Sequence, residues 1–391
     1  MPPVFVDSYT LTTAAGTGLT AIRESVANGR TGLTDRTWPD CDIDTWFGRV
    51  ADLDAAPALD ATWNSRNNRL ARLGLEQDGF AARARHIINH YGANRCAVVL
   101  GTSTASIGRT ERAWRTLDDA HRFAPDHRQP QVHNPHSTGA YVANYLGVTG
   151  PALSIGTACS SSAKAFASAA RLLEQEIADA VIVGGVDSLC LSVLYGFHAL
   201  QLVAASPCRP FDRDREGINL GEAAGFALLV REHDGDVPVS LVGYGESSDA
   251  YHMSSAHPEG LGARLAMQAA IDRSNLSFDD IDYLNLHGTA TRANDEIEGM
   301  VCADLFGERT VASATKGWTG HTLGAAGATE ALICIDSLVT GLIPGTANTR
   351  TPDRDIGAQL LLASRELPID TAMSNSFGFG GNNCSLVFAR I

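Results

Sequence analysis

Cys159 lies in the run Gly156-Thr157-Ala158-Cys159-Ser160-Ser161-Ser162. The apolar segment 152–155 precedes this run, and an Ala-, Leu- and Lys/Arg-rich stretch follows it to residue 174. That order predicts a buried strand, a tight turn and a helix. A cysteine so placed sits at or beside a helix N-terminus. There the positive end of the helix dipole favours a thiolate, and unpaired backbone N–H groups can hold an oxyanion. Two histidines fall at glycine-marked corners of the second half: His287, after the strand-like 281–286, and His321, closing Lys316-Gly317-Trp318-Thr319-Gly320. A further corner is Phe377-Gly378-Phe379-Gly380-Gly381-Asn382. Cysteine with histidine is the minimum set for an activated thiol nucleophile, and in α/β sheets sites assemble at strand ends.

The elements that must position these groups alternate between strands and helices of ten to fifteen residues, which predicts mostly parallel or mixed sheets buried on both faces. Strands are expected at 4–9, 96–100, 180–183, 224–230, 237–243, 311–314 and 384–388, and helices at 19–27, 66–90, 109–121, 261–273, 294–306 and 324–339. The strand, small-residue turn and Ala-rich helix around Cys159 recur around residues 320–328. This echo predicts two similar α/β halves, residues 1–232 carrying the nucleophile and 233–391 carrying both histidines. The polar turn His233-Asp234-Gly235-Asp236 is the expected linker.

The bulk properties narrow the class. A chain of 391 residues with 44% apolar content can bury a large core. A net charge of −14 argues against a general nucleic-acid binder and requires any acidic partner to be met by local basic patches. The eight cysteines form no C-x-x-C pair, so neither a zinc site nor a disulfide framework is expected. No signal peptide and no 18-residue apolar span stand out, giving the expectation of a soluble cytoplasmic protein without a membrane span.

Four segments together resemble the signatures of β-ketoacyl-acyl carrier protein synthases, the condensing enzymes of fatty acid and polyketide assembly. They are 156–162, His287-Gly288-Thr289-Ala290-Thr291, the Thr315–His321 turn and Asn375-Ser376-Phe377-Gly378-Phe379-Gly380-Gly381, with 210–217 and 221–225 agreeing in order and spacing. The resemblance implies the thiolase fold, an α/β architecture of two duplicated halves in αβαβα layers, and a dimer. It implies that Cys159 accepts an acyl chain from a carrier-protein thioester, with its own N–H and that of Phe379 as oxyanion hole. His287 and His321 would stabilise the enolate formed as a malonyl unit loses carbon dioxide. Lys316 and Glu298 match a supporting ion pair. Thr289 and Thr291 match contacts to the phosphopantetheine arm, Phe379 the gate, and Thr104, Phe197 and Phe377 the acyl-site surroundings. Arg66, Arg69, Arg122 and Arg128 match carrier-docking regions. No metal and no cofactor are implied beyond the phosphopantetheine of the carrier. The partners implied are acyl carrier protein and a second subunit, identical or of the chain-length-factor kind.

Trp318 and Asn382-Asn383 depart from the family pattern and hint at a polyene or type II polyketide branch. A non-catalytic subunit is disfavoured because Cys159, His287 and His321 are all present. A biosynthetic thiolase would use a second cysteine near the C-terminus, and Cys384 lies in an expected strand beyond the glycine turn. No G-x-G-x-x-G follows a strand with an acidic residue some twenty positions on, as a dinucleotide-binding oxidoreductase would need. A cysteine hydrolase would give free acid instead of a β-keto thioester.

Overall fold

The computed structural model describes residues 1–35, 38–232 and 235–391. The proposed linker residues His233 and Asp234 lie outside the described residues. Eleven strands build the frame: β1 Val4–Thr13, β2 Cys96–Gly101, β3 Ala152–Ile155, β4 Ala180–Asp187, β5 Ala223–Val230, β6 Val239–Ser248, β7 Tyr283–Leu286, β8 Val311–Ala314, β9 Gln359–Leu360, β10 Thr371–Gly378 and β11 Asn382–Arg390. Among the described residues they run β9-β8-β7-β10-β11-β6-β1-β5-β4-β2-β3.

The duplication is visible in that order. In the first half β1-β5-β4 are antiparallel neighbours, and β4-β2-β3 are parallel. In the second half β6-β11-β10 are antiparallel, and β10-β7-β8 are parallel. The halves join through a short antiparallel seam, Val4↔Leu241 and Phe5↔Ser240.

Helices Ser161–Glu174 and Ala326–Thr340 fill the layer between the sheets, with Ala163, Phe166, Ala328 and Leu332 in one buried core. Their alanines allow close approach, and the Ala328 N–H donates to Ser162 Oγ at 2.7 Å. Helices Arg66–Leu75, Phe80–Tyr91 and Ser137–Leu146 cover the outer face of the first sheet; Leu261–Ser274 and Arg292–Leu305 cover that of the second. The five layers are αβαβα.

Four local expectations change. β3 is the open edge of the sheet, not a buried strand: Ala152 and Leu153 are exposed, Leu153 at 41%. Its apolar composition marks a surface left uncovered in the single chain. The helix expected over 66–90 is two helices, broken where Gly79 adopts φ +73°. The helix expected over 109–121 is Ile107–Arg115. Finally, Leu323–Thr340 is apolar and long enough to cross a membrane by composition, although the sequence reading found no such span; 89% of it is buried as the central helix.

Candidate active site

The residues brought together come from both halves. Cys159 sits two residues before the helix Ser161–Glu174, on an elbow in which Ala158 holds φ +52°. The elbow is fastened locally: the Thr157 N–H donates to Ser161 Oγ at 2.8 Å, and Ser161 Oγ donates to the Ala158 carbonyl at 2.5 Å. Left-handed backbone at a non-glycine residue costs energy and persists only where its surroundings fix it. Its effect here is to aim Sγ off the sheet end into a cleft between the halves. Gly378 leaves no room for a side chain: a Cβ there would lie 2.9 Å from the Thr157 carbonyl oxygen. That close approach brings the Phe379 N–H onto Cys159 Sγ, which the Cys159 N–H also faces. The two N–H groups expected to act as oxyanion donors therefore both face the sulfur.

Burial works against the thiolate. Cys159 is 6% exposed, and desolvation pushes its thiol up to about 11, opposed by the Lys316 charge and the two N–H donors. The thiolate favoured by the helix start is therefore not the resting form, because loss of water outweighs the dipole.

His287 follows β7 and His321 closes the turn after β8; both are buried, with ring centroids 5.6 Å apart. Burial first, then the Lys316 charge, holds both rings well below the usual imidazole range, so both are neutral. Their tautomers follow from what faces Nδ1. Lys316 Nζ, an ammonium with only hydrogens to offer, lies 3.2 Å from His287 Nδ1. The Leu323 N–H donates to His321 Nδ1 at 3.1 Å. Each ring therefore accepts at Nδ1 and carries its hydrogen on Nε2. His321 Nε2 lies 3.1 Å from Cys159 Sγ. The site presents two imidazole N–H donors and two backbone N–H donors around one sulfur.

One sulfur and two imidazole nitrogens within 4.8 Å of one another also have the make-up of a zinc site. Metal-bound imidazoles are normally backed by acceptors, whereas both Nδ1 atoms here face donors. With hydrogens on both Nε2 atoms, the set fits hydrogen-bond donation better than metal ligation.

The resemblance implies a Lys316–Glu298 ion pair, and the structure does not form it. Lys316 pairs with Glu330, and it also donates to the His287 carbonyl. Glu298 instead spans two backbone donors, His287 N–H at 2.7 Å and Gly288 N–H at 2.8 Å, and so fixes the corner that carries the ring. Burial pushes both carboxyls up to about 7. Sequence reasoning missed Glu330; the available signal was a single carboxylate in the otherwise uncharged stretch from 317 to 335.

A cavity of about 700 Å³, counting its open mouth, leads to these groups. Phe197, Thr289, Thr291, Phe377 and Phe379 line it, as expected. The Phe197 and Phe379 rings pack 5.6 Å apart, and Thr289 and Thr291 share a 2.8 Å hydroxyl contact at the entrance of helix Arg292–Leu305. Thr104 is not in this cavity. Its hydroxyl donates to buried Asp187 at 2.6 Å.

The four arginines also divide. Arg66 is half-buried and consumed by Glu222, at 2.6 and 2.8 Å, and by Asp54 at 2.6 Å, so it is structural. Arg69 lines a cleft with Arg49, Arg109, Arg112 and Arg115. Burial and the neighbouring Arg66 charge lower its pKa. Arg122, exposed, pairs with Asp118 at 3.1 Å, and Arg128, also exposed, donates to the Phe123 carbonyl at 2.9 Å.

Comparison with known proteins agrees with this geometry. The β-ketoacyl synthase N-terminal domain matches residues 42–235 and the β-ketoacyl synthase C-terminal domain matches residues 239–350. The chain belongs to the β-ketoacyl synthase family of condensing enzymes. It is similar to 3-oxoacyl-[acyl-carrier-protein] synthase 2 of Vibrio cholerae, 32% identical over 78% of each chain. It is also similar to nodulation protein E of Rhizobium meliloti, 34% identical over 78% of this chain and 77% of that one. Among solved structures, a ketosynthase from Xenorhabdus doucetiae in complex with its chain length factor superposes with a TM-score of 0.89. It is 35% identical, covering 100% of this chain and 98% of that one.

Proposed function

We propose that this chain is an acyltransferase that carries out decarboxylative Claisen condensation on carrier-protein thioesters. The Cys159 thiol attacks an acyl thioester carbonyl, and the carrier thiol leaves with the proton. The Phe379 and Cys159 N–H groups hold the oxyanion. A malonyl thioester then loses carbon dioxide, and its electron pair becomes an enolate. The enolate carbon attacks the acyl-Cys159 carbonyl, Cys159 sulfur leaves, and a β-ketoacyl thioester departs on the carrier.

The observation that carries this reading is the pair of Nε2–H tautomers. A hydrolase or an ordinary Cys–His dyad needs a ring lone pair facing the sulfur, whereas an enolate oxygen needs donors. Decarboxylation so assisted needs no cofactor of the enzyme's own. Thr289 and Thr291 at the mouth suit a phosphopantetheine arm, and Arg69, Arg122 and Arg128 offer charge to an acidic carrier. The open β3 edge and the relative solved with a chain length factor support assembly with a second chain of the same fold.

The test is intact-protein mass spectrometry after incubation with a panel of acyl-carrier proteins, then with malonyl-carrier protein. An adduct on Cys159 that is discharged as a β-ketoacyl product is expected. An adduct that forms but never elongates, even with a chain-length-factor partner added, would refute the condensation step.

A further inference from the structure

Asp187, at the end of β4, is a fully buried carboxylate, and among the described residues it makes no ion pair. It collects donors from both halves of the fold. Oδ1 accepts from Thr102 Oγ1 at 2.5 Å, Thr104 Oγ1 at 2.6 Å and the Thr104 N–H at 2.9 Å. Oδ2 accepts from the Ser103 N–H at 2.9 Å, Ser103 Oγ at 3.1 Å and, across the interface, the Gly324 N–H at 2.6 Å. Six donors use up the acceptor sites of a carboxylate. Nothing so far described needs a charge at this depth.

The position of Gly324 gives it a use. Gly324 directly follows Leu323, whose N–H fixes the tautomer of His321. Leu323 holds φ +56°, a conformation that a leucine keeps only under constraint. Gly324 itself is pressed against the first half, since a Cβ there would lie 2.5 Å from the Ser103 nitrogen and 2.8 Å from Asp187 Oδ2. The strained turn is therefore held from one side by His321 Nδ1 and from the other by Asp187.

We propose that Asp187 is a positioning residue for condensation: by pinning the Leu323–Gly324 turn it keeps the Leu323 N–H on His321 Nδ1 and so keeps the Nε2 hydrogen aimed at the reacting oxygen. This rests on the condensing reading of the site. It predicts a split between half-reactions, because Cys159 acylation uses the backbone oxyanion donors, whereas decarboxylation uses the histidines.

The experiment is Asp187→Asn, read by the ¹⁵N shifts of the histidine rings in the resting enzyme and by separate assays of acylation and condensation. The amide keeps the size but turns one acceptor into a donor, which leaves a backbone N–H opposed. The His321 hydrogen should shift wholly or partly to Nδ1. Condensation kcat should fall roughly tenfold to a hundredfold, with acylation within about threefold, the scale set by small misplacements of catalytic groups. An unchanged His321 tautomer overturns the proposal, whatever happens to stability or rate. Should Asp187→Asn fail to fold, Thr104→Val keeps the charge and removes one bond that orients the carboxylate. The same tautomer shift in smaller measure is expected, and its absence is equally decisive. The ring shifts are read without turnover, so a wild type that does not condense would refute the functional reading separately.

Discussion

Removing Lys316 separates two roles that the structure joins in one ammonium group, countercharge for Glu330 and donor to His287. Consider Lys316→Met. Glu330 is buried and already stands at about 7 against an ordinary 4.5, with Lys316 pulling it down. Without the lysine it folds protonated. Breaking a buried pair by removing one partner costs roughly 3–5 kcal/mol of stability. Independently, His287 loses the group that made Nδ1 an acceptor, so its hydrogen is free to move there. One of the two enolate donors is then lost, which costs about 2.7–4 kcal/mol of barrier, or about 10²–10³ in rate.

The control is the double variant Lys316→Met/Glu330→Gln. It removes the stranded carboxylate and should recover most of the stability in urea unfolding. It should not recover carbon dioxide release from malonyl-carrier protein, while Cys159 acylation stays close to wild type. If decarboxylation returns together with stability, Lys316 is only a countercharge, and the tautomer reasoning for His287 is refuted.

Other consequences can be tested more briefly. Because burial holds the Cys159 thiol near 11, alkylation by iodoacetamide should rise about tenfold per pH unit from pH 7 to 9; a plateau below pH 8 would show that the helix start prevails. Stability against acid involves opposed groups. Two rings kept neutral in the fold mean that the unfolded chain alone gains two protons as pH drops through 6.5, losing about 2.7 kcal/mol per unit. Glu298 and Glu330, raised to about 7, act with the opposite sign: the stability they contribute is full below 4.5 and lost as pH rises to 7. The two effects nearly cancel between 6.5 and 4.5, so Glu298→Gln should steepen the acid slope there by about 1.4 kcal/mol per unit in urea titrations; an unchanged slope would contradict the raised carboxyl. Finally, Arg66→Ala strands fully buried Glu222 and should cost about 3–5 kcal/mol of stability. Arg69→Ala should instead raise KM for carrier protein, so equal effects on KM would return Arg66 to the docking surface.

The nucleophile and both histidines were legible because each stands at a strand-to-turn corner marked by small residues, a local pattern that survives in one dimension. The duplicated order of strands was legible for the same reason, since period and length repeat. What the sequence hid was pairing between distant segments. The resemblance paired Lys316 with Glu298, and no local spacing pattern pointed to Glu330 instead; only the packing of the central helix decides. Thr104 was assigned to the acyl surroundings on the resemblance, and the carboxylate it binds, Asp187, lies 83 positions away, beyond any local pattern. Apolar residues on β3 signalled burial, because composition cannot distinguish a strand covered by its own chain from one left open for another. Arg66 and Arg69 share a helix and a charge, and only Glu222, brought in from β5's approach, distinguishes a structural arginine from an available one.

These hidden pairings differ in reach. Cys159 and its helix start are held by contacts within about one turn of chain. The decarboxylating parts are held mostly within the second half, where Glu298 fixes the His287 corner and Lys316 and Glu330 fix its tautomer. Each set also has a contact that crosses between the halves: the Phe379 N–H, brought to the sulfur by the Gly378–Thr157 approach, and Asp187, which holds the turn that fixes His321. A slight shift of one half against the other would therefore disturb both half-reactions. The β1–β6 seam is the place to test this. Its two residue pairs are the backbone ladder that joins the sheets, and Phe5 also pairs with Val230 in the first sheet. Phe5→Pro removes an N–H at this junction while leaving every site residue unchanged. Acylation and condensation should both fall. Loss of condensation with acylation unchanged would refute the reasoning, because the Phe379–Cys159 contact would then not depend on how the halves are seated.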